Sequence, residues 1–299
     1  MAQRGKLYSV RRKIQVILTK ATSYEFMSRV YYFIKFKKKL NLENPIDFNE
    51  KIQWLKLNNF PYDQDVVRCT DKYLVREFLE EKGLGEYLNN LIGVWDKWED
   101  VDWNELPQKF ALKCNHGCGY NIICDNKSQL SEIETGKKIN RWLSEDFSLF
   151  NAEKHYTSIK PRIICEEYLG EDIVDYKFFC FNGKPEFFYI AQGFGHGVNE
   201  RMAFFNIDGT VAPFSRKEYK EFDGEVKLPE NLHEMIEASK SLSADFPFVR
   251  VDFFEIDGKV VFSEMTFTPG GGLMTIDPEE YLKKWGSLIK IDKTMNISS

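Results

Sequence analysis

The chain has 299 residues, of which 43% are hydrophobic and 15% aromatic, enough to bury a sizeable core in one large domain or two lobes. No run of about 18 uncharged apolar residues occurs, so no transmembrane helix is expected. The basic start lacks the continuous apolar core and small-residue cleavage site of a signal peptide. We therefore expect a cytoplasmic protein whose six cysteines are reduced.

The net charge of −5 hides an asymmetry along the chain. Residues 1–40 carry eleven Lys or Arg and one acid, Glu25, which makes this segment +10 and leaves −15 for residues 41–299. Basic and apolar residues interleave in it, as in helices that lie on an anionic membrane or contact a polyanionic substrate. The alternative is a solvated helix with one face docked on the fold. Nucleic-acid binding is disfavoured because the rest of the chain is acidic.

Helices are predicted in the segment that follows. Residues 47–57 and 71–82 have the apolar spacing of amphipathic helices, and Gly83 ends the second. Residues 96–105 are acidic and rich in tryptophan, which indicates a connecting loop. The sequence thus predicts a helical amino-terminal region over residues 41–105.

From residue 106 the pattern becomes that of strands. Short β-type runs at 110–114 and 121–124 flank a glycine-rich turn, a helix is predicted over 131–144, and 161–169 form a further strand. Three strand pairs are then marked by turn dipeptides at Asn182-Gly183, Asp208-Gly209 and Asp257-Gly258. A helix over 230–242 separates the last two pairs. This order predicts an α+β fold with antiparallel sheets rather than a run of βαβ units.

The pair around Asp257-Gly258 carries charged residues in strand alternation. Arg250 and Asp252 share one face of the first strand, and Glu264 and Thr266 share one face of the second. An odd-length, bulged turn would make the two faces coincide, whereas a two-residue loop would place the acids on opposite sides. We therefore expect the bulged turn.

Such a turn would bring two carboxylates and a hydroxyl together beside an arginine. Mg²⁺ prefers hard oxygen ligands, few of them from protein, with room left for phosphate oxygens. The pattern therefore predicts a magnesium site on this hairpin. The alternative is a surface hairpin whose acids face water.

The glycine-rich turn suits a phosphate group. Gly117 and Gly119 would let backbone N–H groups approach a phosphate, and the preceding strand carries Lys113 as a positive charge. It is not a Walker loop, which requires Gly-Lys-Ser/Thr leading into a helix. An ordinary tight turn is the alternative.

A zinc site is a second alternative for this turn. Its ligands would be Cys114, His116, Cys118 and Cys124, but their spacing fits no common zinc finger. Cysteines in apolar strands are ordinarily small buried hydrophobes.

Two acids, Glu166 and Glu167, end the apolar strand predicted at 161–169. The backbone after such a strand can present N–H and C=O groups to an adenine edge. Asp175 and Lys177 then alternate onto one face of the next strand. Ordinary strand-end acids are the alternative.

In this order the motifs resemble the ATP-grasp superfamily and, more narrowly, the TupA-like ATP-grasp family, which is associated with teichuronopeptide and capsule-type polysaccharide clusters. The resemblance covers about residues 40–275 and rests on NPIDFNEKIQWLKL, DKYLVREFL, LPQKFALKCNHGCG, CEEYLGEDIVDYKFFCFNGKPEF, FPFVRVDFF and SEMTFTPGGG. It implies two α+β lobes that grip ATP. The small lobe would span residues 106–165 and the large lobe with its metal site residues 166–299, preceded by the helical region and by a basic amphipathic segment at 1–40. No amino-terminal Rossmann-like domain is evident.

The resemblance also implies roles for individual residues. ATP would be bound by Lys72, Lys113, His116, Gly117, Gly119, Glu166, Glu167, Tyr168, Leu169 and Asp175. For Lys72 the alternative is a lysine on the surface of a helix. Mg²⁺ would be held by Asp252, Glu264 and Thr266, although many ATP-grasp enzymes have Asn in place of this threonine. Arg250 and Lys177 would be catalytic, and Thr268, Gly270 and Gly271 would shape the acceptor site.

The implied activity is that of a carboxylate–amine ligase working through an acyl phosphate. The carboxylate would be a uronic acid of a surface glycan or its precursor, and the amine an amino acid or amino alcohol. Three alternatives remain: a phosphotransferase acting on a glycan hydroxyl, a glycosyltransferase of the same pathway, and a non-catalytic glycan- or lipid-binding module with a decayed nucleotide site.

Overall fold

The structure is a computed structural model that describes residues 2–171, 173–193, 200–220, 222, 224 and 226–291. Its helices are α1 (Ala2–Ala21), α2 (Tyr24–Phe36), α3 (Phe48–Asn58), α4 (Gln64–Thr70), α5 (Val75–Glu81), α6 (Glu132–Leu143), α7 (Leu232–Ser243) and α8 (Glu280–Leu288). Its strands are β1 (Leu91–Trp95), β2 (Phe110–Cys114), β3 (Asn121–Cys124), β4 (Ile163–Glu167), β5 (Asp175–Phe181), β6 (Lys184–Gln192), β7 (Arg201–Asn206), β8 (Phe248–Ile256) and β9 (Lys259–Thr266).

The strands form two antiparallel sheets. The small sheet has the order β1-β4-β2-β3, and the large sheet has the order β7-β6-β5-β8-β9. The chain passes once from the small to the large sheet, through the segment between β4 and β5. The predicted α+β class with antiparallel sheets is confirmed.

The large sheet is covered on both faces, which explains why β5 is continuously buried after its first residue instead of alternating. Helix α7 packs against β5, β6 and β8. On the other face, Phe48 of α3 and Trp285 of α8 pack against Phe179 and Phe187. Since side chains alternate along a strand, Asp175 and Lys177 lie on the same face as Phe179. Asp175 and Lys177 thus extend the same face of the sheet beyond this aromatic core.

Most predicted helices are confirmed with small shifts of their ends. Helix α3 begins after Asp47, whose carboxylate accepts a hydrogen bond from the N–H of Glu50 at 2.9 Å in a capping box. The predicted helix at 71–82 begins later, at Val75. The reason is that the Asp71 side chain accepts hydrogen bonds from the N–H groups of Tyr73 and Leu74, which holds the chain in a non-helical turn.

Several local features differ from the prediction. Helices α4 and α8 and edge strand β1 were not predicted, and β1 falls within the region expected to be helical. The strand pair at Asp208-Gly209 was wrong in extent. Among the described residues, the antiparallel pairing that follows this turn is limited to one bridge, Phe205–Val211, because Pro213 soon follows and has no N–H to continue the ladder.

Within the part of the chain that the structure describes, none of the helices is long and apolar enough to cross a membrane. All six cysteines are free thiols.

Candidate functional site

The hairpin of β8 and β9 brings its acids to one face by a different route from the predicted one. The turn has two residues, with Ile256 paired to Lys259, and both Asp257 and Gly258 have positive φ, 51° and 72°. The prediction of an odd-length turn was therefore wrong: Asp-Gly adopts the tight turn that it commonly forms. The register shifts within β9 instead.

The register shift is a bulge at Ser263. Asp252 pairs with Glu264, but Phe253 pairs with Phe262, so Ser263 has no partner on β8. One extra residue in a strand moves every side chain beyond it to the opposite face of the sheet. The carboxylates of Asp252 and Glu264 consequently lie on the same face.

Arg250 is the centre of this charged face. Its Nε donates to Asp252 Oδ1 at 2.7 Å and its Nη2 to Asp252 Oδ2 at 2.6 Å, a bidentate pair. The same Nη2 donates to Glu264 Oε1 at 3.2 Å and to Thr266 Oγ1 at 3.0 Å. One guanidinium thus fixes two carboxylates and the hydroxyl.

Lys177 supplies a second cation from β5. It lies opposite Asp252 in the strand register, and its Nζ is 2.7 Å from Asp252 Oδ2 and 3.0 Å from Asp175 Oδ1. Burial disfavours its charged form, but the two aspartates outweigh burial and raise the pKa of Lys177. Lys177 is therefore a fully charged ammonium group within a buried ion cluster.

The two carboxylates differ in exposure. Asp252 is fully buried, whereas the Glu264 side chain is 32% exposed. Burial would raise the pKa of Glu264, but Lys72, Lys177 and Arg250 lower it to about 2. Glu264 therefore presents an ionised carboxylate to solvent, while the carboxylate of Asp252 is buried.

The glycine-rich turn between β2 and β3 lies across from Glu264. Lys72 bridges the turn and strand β9, since its Nζ donates to the carbonyl of Gly117 at 2.9 Å and lies 4.0 Å from Glu264 Oε2. A Cβ on Gly117 would lie 2.5 Å from the Tyr120 ring, and Gly119 has φ +74° with open space around it. Both glycines are therefore required by the shape of the turn.

His116 lies beneath this turn and not on its surface. Its side chain is buried, its Nε2 is 3.0 Å from the carbonyl of Trp142, and its ring packs on Tyr120. Burial lowers its pKa. This placement gives His116 a supporting position under the loop, and its predicted contact with nucleotide stays a prediction.

Lys113 forms an ion pair at the small sheet. Its Nζ lies 2.6 Å from Glu166 Oε2, and Arg76 donates to the other oxygen of the same carboxylate at 3.2 Å. Arg76 was missed by the sequence prediction, because a lone arginine on an amphipathic helix gives no signal. The three groups form a partly buried cation–anion–cation array.

The predicted adenine-binding residues lie at the junction of the sheets. Glu167 ends β4 and is exposed, and Tyr168 and Leu169 are half-buried in the segment that leads to β5. The carbonyl of Glu167 accepts a hydrogen bond from the Asn89 side chain at 2.8 Å. These residues therefore connect the two lobes.

The glycine loop after β9 is held from below by helix α3. Gly270, Gly271 and Gly272 all have positive φ, which side chains rarely adopt. Gln53 Nε2 donates to the carbonyls of Gly271 and Gly272 at 2.8 and 3.0 Å. Lys56 Nζ donates to the carbonyl of Gly271 at 3.3 Å.

Lys56 is part of a buried polar network. It is 1% exposed and also donates to the carbonyl of Asn151 at 3.1 Å. Burial lowers its pKa to about 8. Nearby, Thr268 donates to the carboxylate of Glu153, a buried acid whose pKa is raised by burial. Thr268, predicted to contact substrate, is itself buried and turned into this network.

The sequence carries a signal for this network that the prediction did not use. Asn49, Gln53 and Lys56 recur at i, i+4 and i+7 among the buried positions of α3. A polar row on the apolar face of a helix indicates buried hydrogen-bond partners, here the carbonyls of the glycine loop and of Met274.

The zinc alternative is not supported by the geometry. Cys114 and Cys124 are buried in strands, and Cys118 is exposed on the turn. Among the described residues, no three His, Cys, Asp or Glu side chains come together as a metal-binding group.

A family model described as TupA-like ATPgrasp matches residues 50–290. The chain belongs to the TupA-like ATP-grasp family. The matched range of this ATP-grasp chain contains both sheets and all predicted site residues, and it leaves α1 and α2 outside.

Solved structures similar to this TupA-like ATP-grasp chain include amino-acid ligases. An L-amino acid ligase from Bacillus licheniformis is 13% identical, with 94% of this chain and 64% of that chain covered and a TM-score of 0.47. D-alanine–D-alanine ligases from Bacillus anthracis and Helicobacter pylori are 16% and 15% identical, with TM-scores of 0.38 and 0.44. The match covers 68% of this chain and 58% of the first enzyme, and 83% and 70% for the second. The chain thus spans less than two thirds of the length of the two Bacillus ligases. It matches no curated protein.

Proposed function

We propose that this chain is an ATP- and Mg²⁺-dependent ligase that joins a carboxylate to an amine through an acyl phosphate. The observation that carries the proposal is the cluster on the large sheet. Arg250 and Lys177 are buried cations, and Glu264 is an ionised, accessible carboxylate that faces the glycine-rich turn across Lys72. Fixed cations and metal-binding carboxylates are the groups with which proteins hold and transfer a phosphoryl group, and membership of the TupA-like ATP-grasp family supports the proposal.

The nucleotide is proposed to lie between the sheets. Lys113, Lys72 and the N–H groups of the turn at Gly117 and Gly119 surround the triphosphate, and His116 supports the turn from below. The connecting segment with Glu167, Tyr168 and Leu169 faces adenine. Glu166 holds Lys113 in place, and Asp175 faces the ribose. The arrangement is supported by the placement of these groups on the two facing lobes.

The residues present fit a magnesium ion. Glu264 offers an accessible carboxylate oxygen. Asp252 Oδ2 accepts from both Arg250 and Lys177, but Oδ1 accepts only from Arg250 and keeps one lone pair for a metal ion. When bound, Mg²⁺ would neutralise charge on the phosphates. Thr266 accepts from Arg250 and donates to Glu264 Oε1 at 3.2 Å, and we propose that it orients this carboxylate.

The chemistry is assigned as two steps. A carboxylate oxygen of the acceptor attacks the γ-phosphorus of ATP, the bond to the ADP oxygen breaks, and an acyl phosphate forms. The amine then attacks the carbonyl carbon, loses a proton, and phosphate leaves with the electron pair of the carbon–oxygen bond. Arg250 and Lys177 stabilise the negative charge that develops in both steps. Gly270 and Gly271 shape the acceptor site, with Thr268 anchoring the loop.

The proposed carboxylate is a uronic acid of a capsule-type polysaccharide or its precursor, and the proposed amine is an amino acid or amino alcohol. This assignment rests on the polysaccharide clusters associated with the family. Because such a ligase draws on ATP, we place it in the cytoplasm.

ADP release tests this function, screened over uronic acids crossed with amines. We expect ADP and an amide only when both a carboxylate and an amine are present. ADP with a phosphorylated glycan hydroxyl, formed without amine, would establish a phosphotransferase instead. Sugar transfer from a nucleotide sugar without ATP consumption would establish a glycosyltransferase.

Lys113→Ala is expected to weaken ATP binding by about 1.5–3 kcal/mol, the usual contribution of a charge-assisted hydrogen bond. Titration calorimetry with ATP and Mg²⁺ measures the effect. Lys137→Ala on the exposed side of α6 removes a lysine that is also paired with a glutamate, and it should leave ATP binding unchanged. Equal affinities for the two variants would remove Lys113 from the nucleotide site.

A further inference from the structure

Helices α1 and α2 present apolar side chains to solvent in a regular pattern. On α1, Val10, Ile14, Ile17 and Leu18 are 44–65% exposed and follow the spacing i, i+4, i+7, i+8. On α2, Phe26, Phe33 and Ile34 are 52–59% exposed at i, i+7 and i+8. Each set forms one stripe along its helix. In a helix that only covers a core, this stripe would face inward.

The opposite faces of the two helices dock on one segment of the fold, residues 145–150. From α1, Arg12 pairs with Glu145 at 3.0 Å and Thr19 donates to the carbonyl of Leu149 at 3.0 Å. From α2, the Tyr31 hydroxyl donates to the carbonyl of Phe150 at 3.1 Å. Polar residues thus hold the inner faces, and both apolar stripes point away from the segment they share.

Exposed cations border these stripes. Arg11, Lys13 and Lys20 are exposed on α1, and Lys35 and Lys37 are exposed at the end of α2. The sequence of residues 1–40 has a net charge of +10, on a chain that is otherwise acidic. Both helices lie outside the range that the family model matches.

We propose that α1 and α2 form a docking surface for an anionic lipid bilayer. Apolar side chains would enter the boundary between headgroups and acyl chains, and the flanking cations would face the anionic headgroups. A second copy of the chain is a poorer occupant, because pairing these faces would oppose two segments of +10. The proposal is independent of the ligase activity.

Cosedimentation of the full chain with vesicles tests this surface. We expect binding to vesicles of phosphatidylglycerol and phosphatidylcholine in equal parts, much weaker binding to phosphatidylcholine alone, and weakening by salt. Ile17→Glu and Phe33→Glu should each reduce binding about tenfold or more, since each removes a large inserted side chain. Lys13→Glu with Lys20→Glu should abolish the preference for the anionic vesicles.

Ile133→Glu is the matched control, because Ile133 is an isoleucine 69% exposed on α6. It should bind vesicles as the unchanged chain does. All the substituted positions are solvent-exposed, so thermal unfolding should be unaltered. The proposal is overturned by absence of vesicle binding or by equal loss in the Ile133 variant. It is also overturned by a dimer in light scattering that Ile17→Glu dissociates while no vesicle binding occurs.

Discussion

Asp252→Asn is expected to abolish ATP turnover and also to lower the free energy of unfolding by about 3–5 kcal/mol. Asp252 is fully buried and its two oxygens pair with Arg250 and Lys177. Removing its charge takes a counterion from two buried cations. Such a loss is strongly destabilising because it leaves buried charge without compensation. Urea unfolding and ADP release measure the two effects. From the sequence alone this substitution would be expected to spare the fold; its burial is what changes the expectation.

Glu264→Gln separates the two effects. Its side chain lies partly in solvent and shares Arg250 with Asp252, so a small loss of stability, about 1 kcal/mol, is expected with turnover still abolished. If Asp252→Asn unfolds no more readily than Glu264→Gln, the ion cluster does not stabilise the fold as described. If Glu264→Gln keeps its turnover, Glu264 is not part of the reaction centre.

Lys56→Met is expected to raise the KM for the acceptor while leaving ATP affinity nearly unchanged. The substitution leaves the carbonyls of Asn151 and Gly271 without their charged donor and loosens the glycine loop, which forms the proposed acceptor site. Losing these buried hydrogen bonds should cost about 1–3 kcal/mol of unfolding free energy. Lys284→Met, at an exposed position of α8, is the control and should change neither quantity. Equal rises in the two KM values would mean that α3 supports the whole cleft.

Lys56 also predicts a pH dependence. Its pKa in the folded state is lowered to about 8, below the ordinary value of 10.5. Between these values the unfolded chain holds the proton that the folded chain has released, so the stability contributed by this group rises with pH. The stability difference between the unchanged protein and Lys56→Met should therefore widen from pH 7 to about pH 10. A constant difference would mean that the Lys56 pKa is not lowered.

The sequence predicted the sheets and the charged face well because both follow from short-range patterns. Strand alternation placed Arg250 with Asp252 and Glu264 with Thr266, and turn dipeptides marked the hairpins. The bulge at Ser263 could not be predicted, because the position at which β9 takes up an extra residue is visible only in its pairing with β8 in the folded sheet. The prediction recognised that an odd residue was needed and assigned it to the turn.

The long-range polar contacts also could not be predicted from the sequence. Lys72 reaches the carbonyl of Gly117, Arg76 shares Glu166 with Lys113, and Lys56 lies under Gly271. The residues of each pair are far apart in the chain. The partner is often a backbone carbonyl, which every residue has, so the amino-acid type does not reveal it. The burial of Asp252 is another such property, since it depends on two strands that flank β8.

An isotope experiment tests the central claim, activation of a carboxylate by ATP at the Arg250 cluster, most directly. The accepted uronic acid is labelled with ¹⁸O in its carboxylate, and the released phosphate is analysed by mass spectrometry after incubation with ATP, Mg²⁺ and amine. An acyl phosphate transfers one labelled oxygen to phosphate, so we expect one ¹⁸O atom in each released phosphate. The Glu264→Gln variant should release no phosphate. Phosphate that lacks the label while amide accumulates would contradict this account.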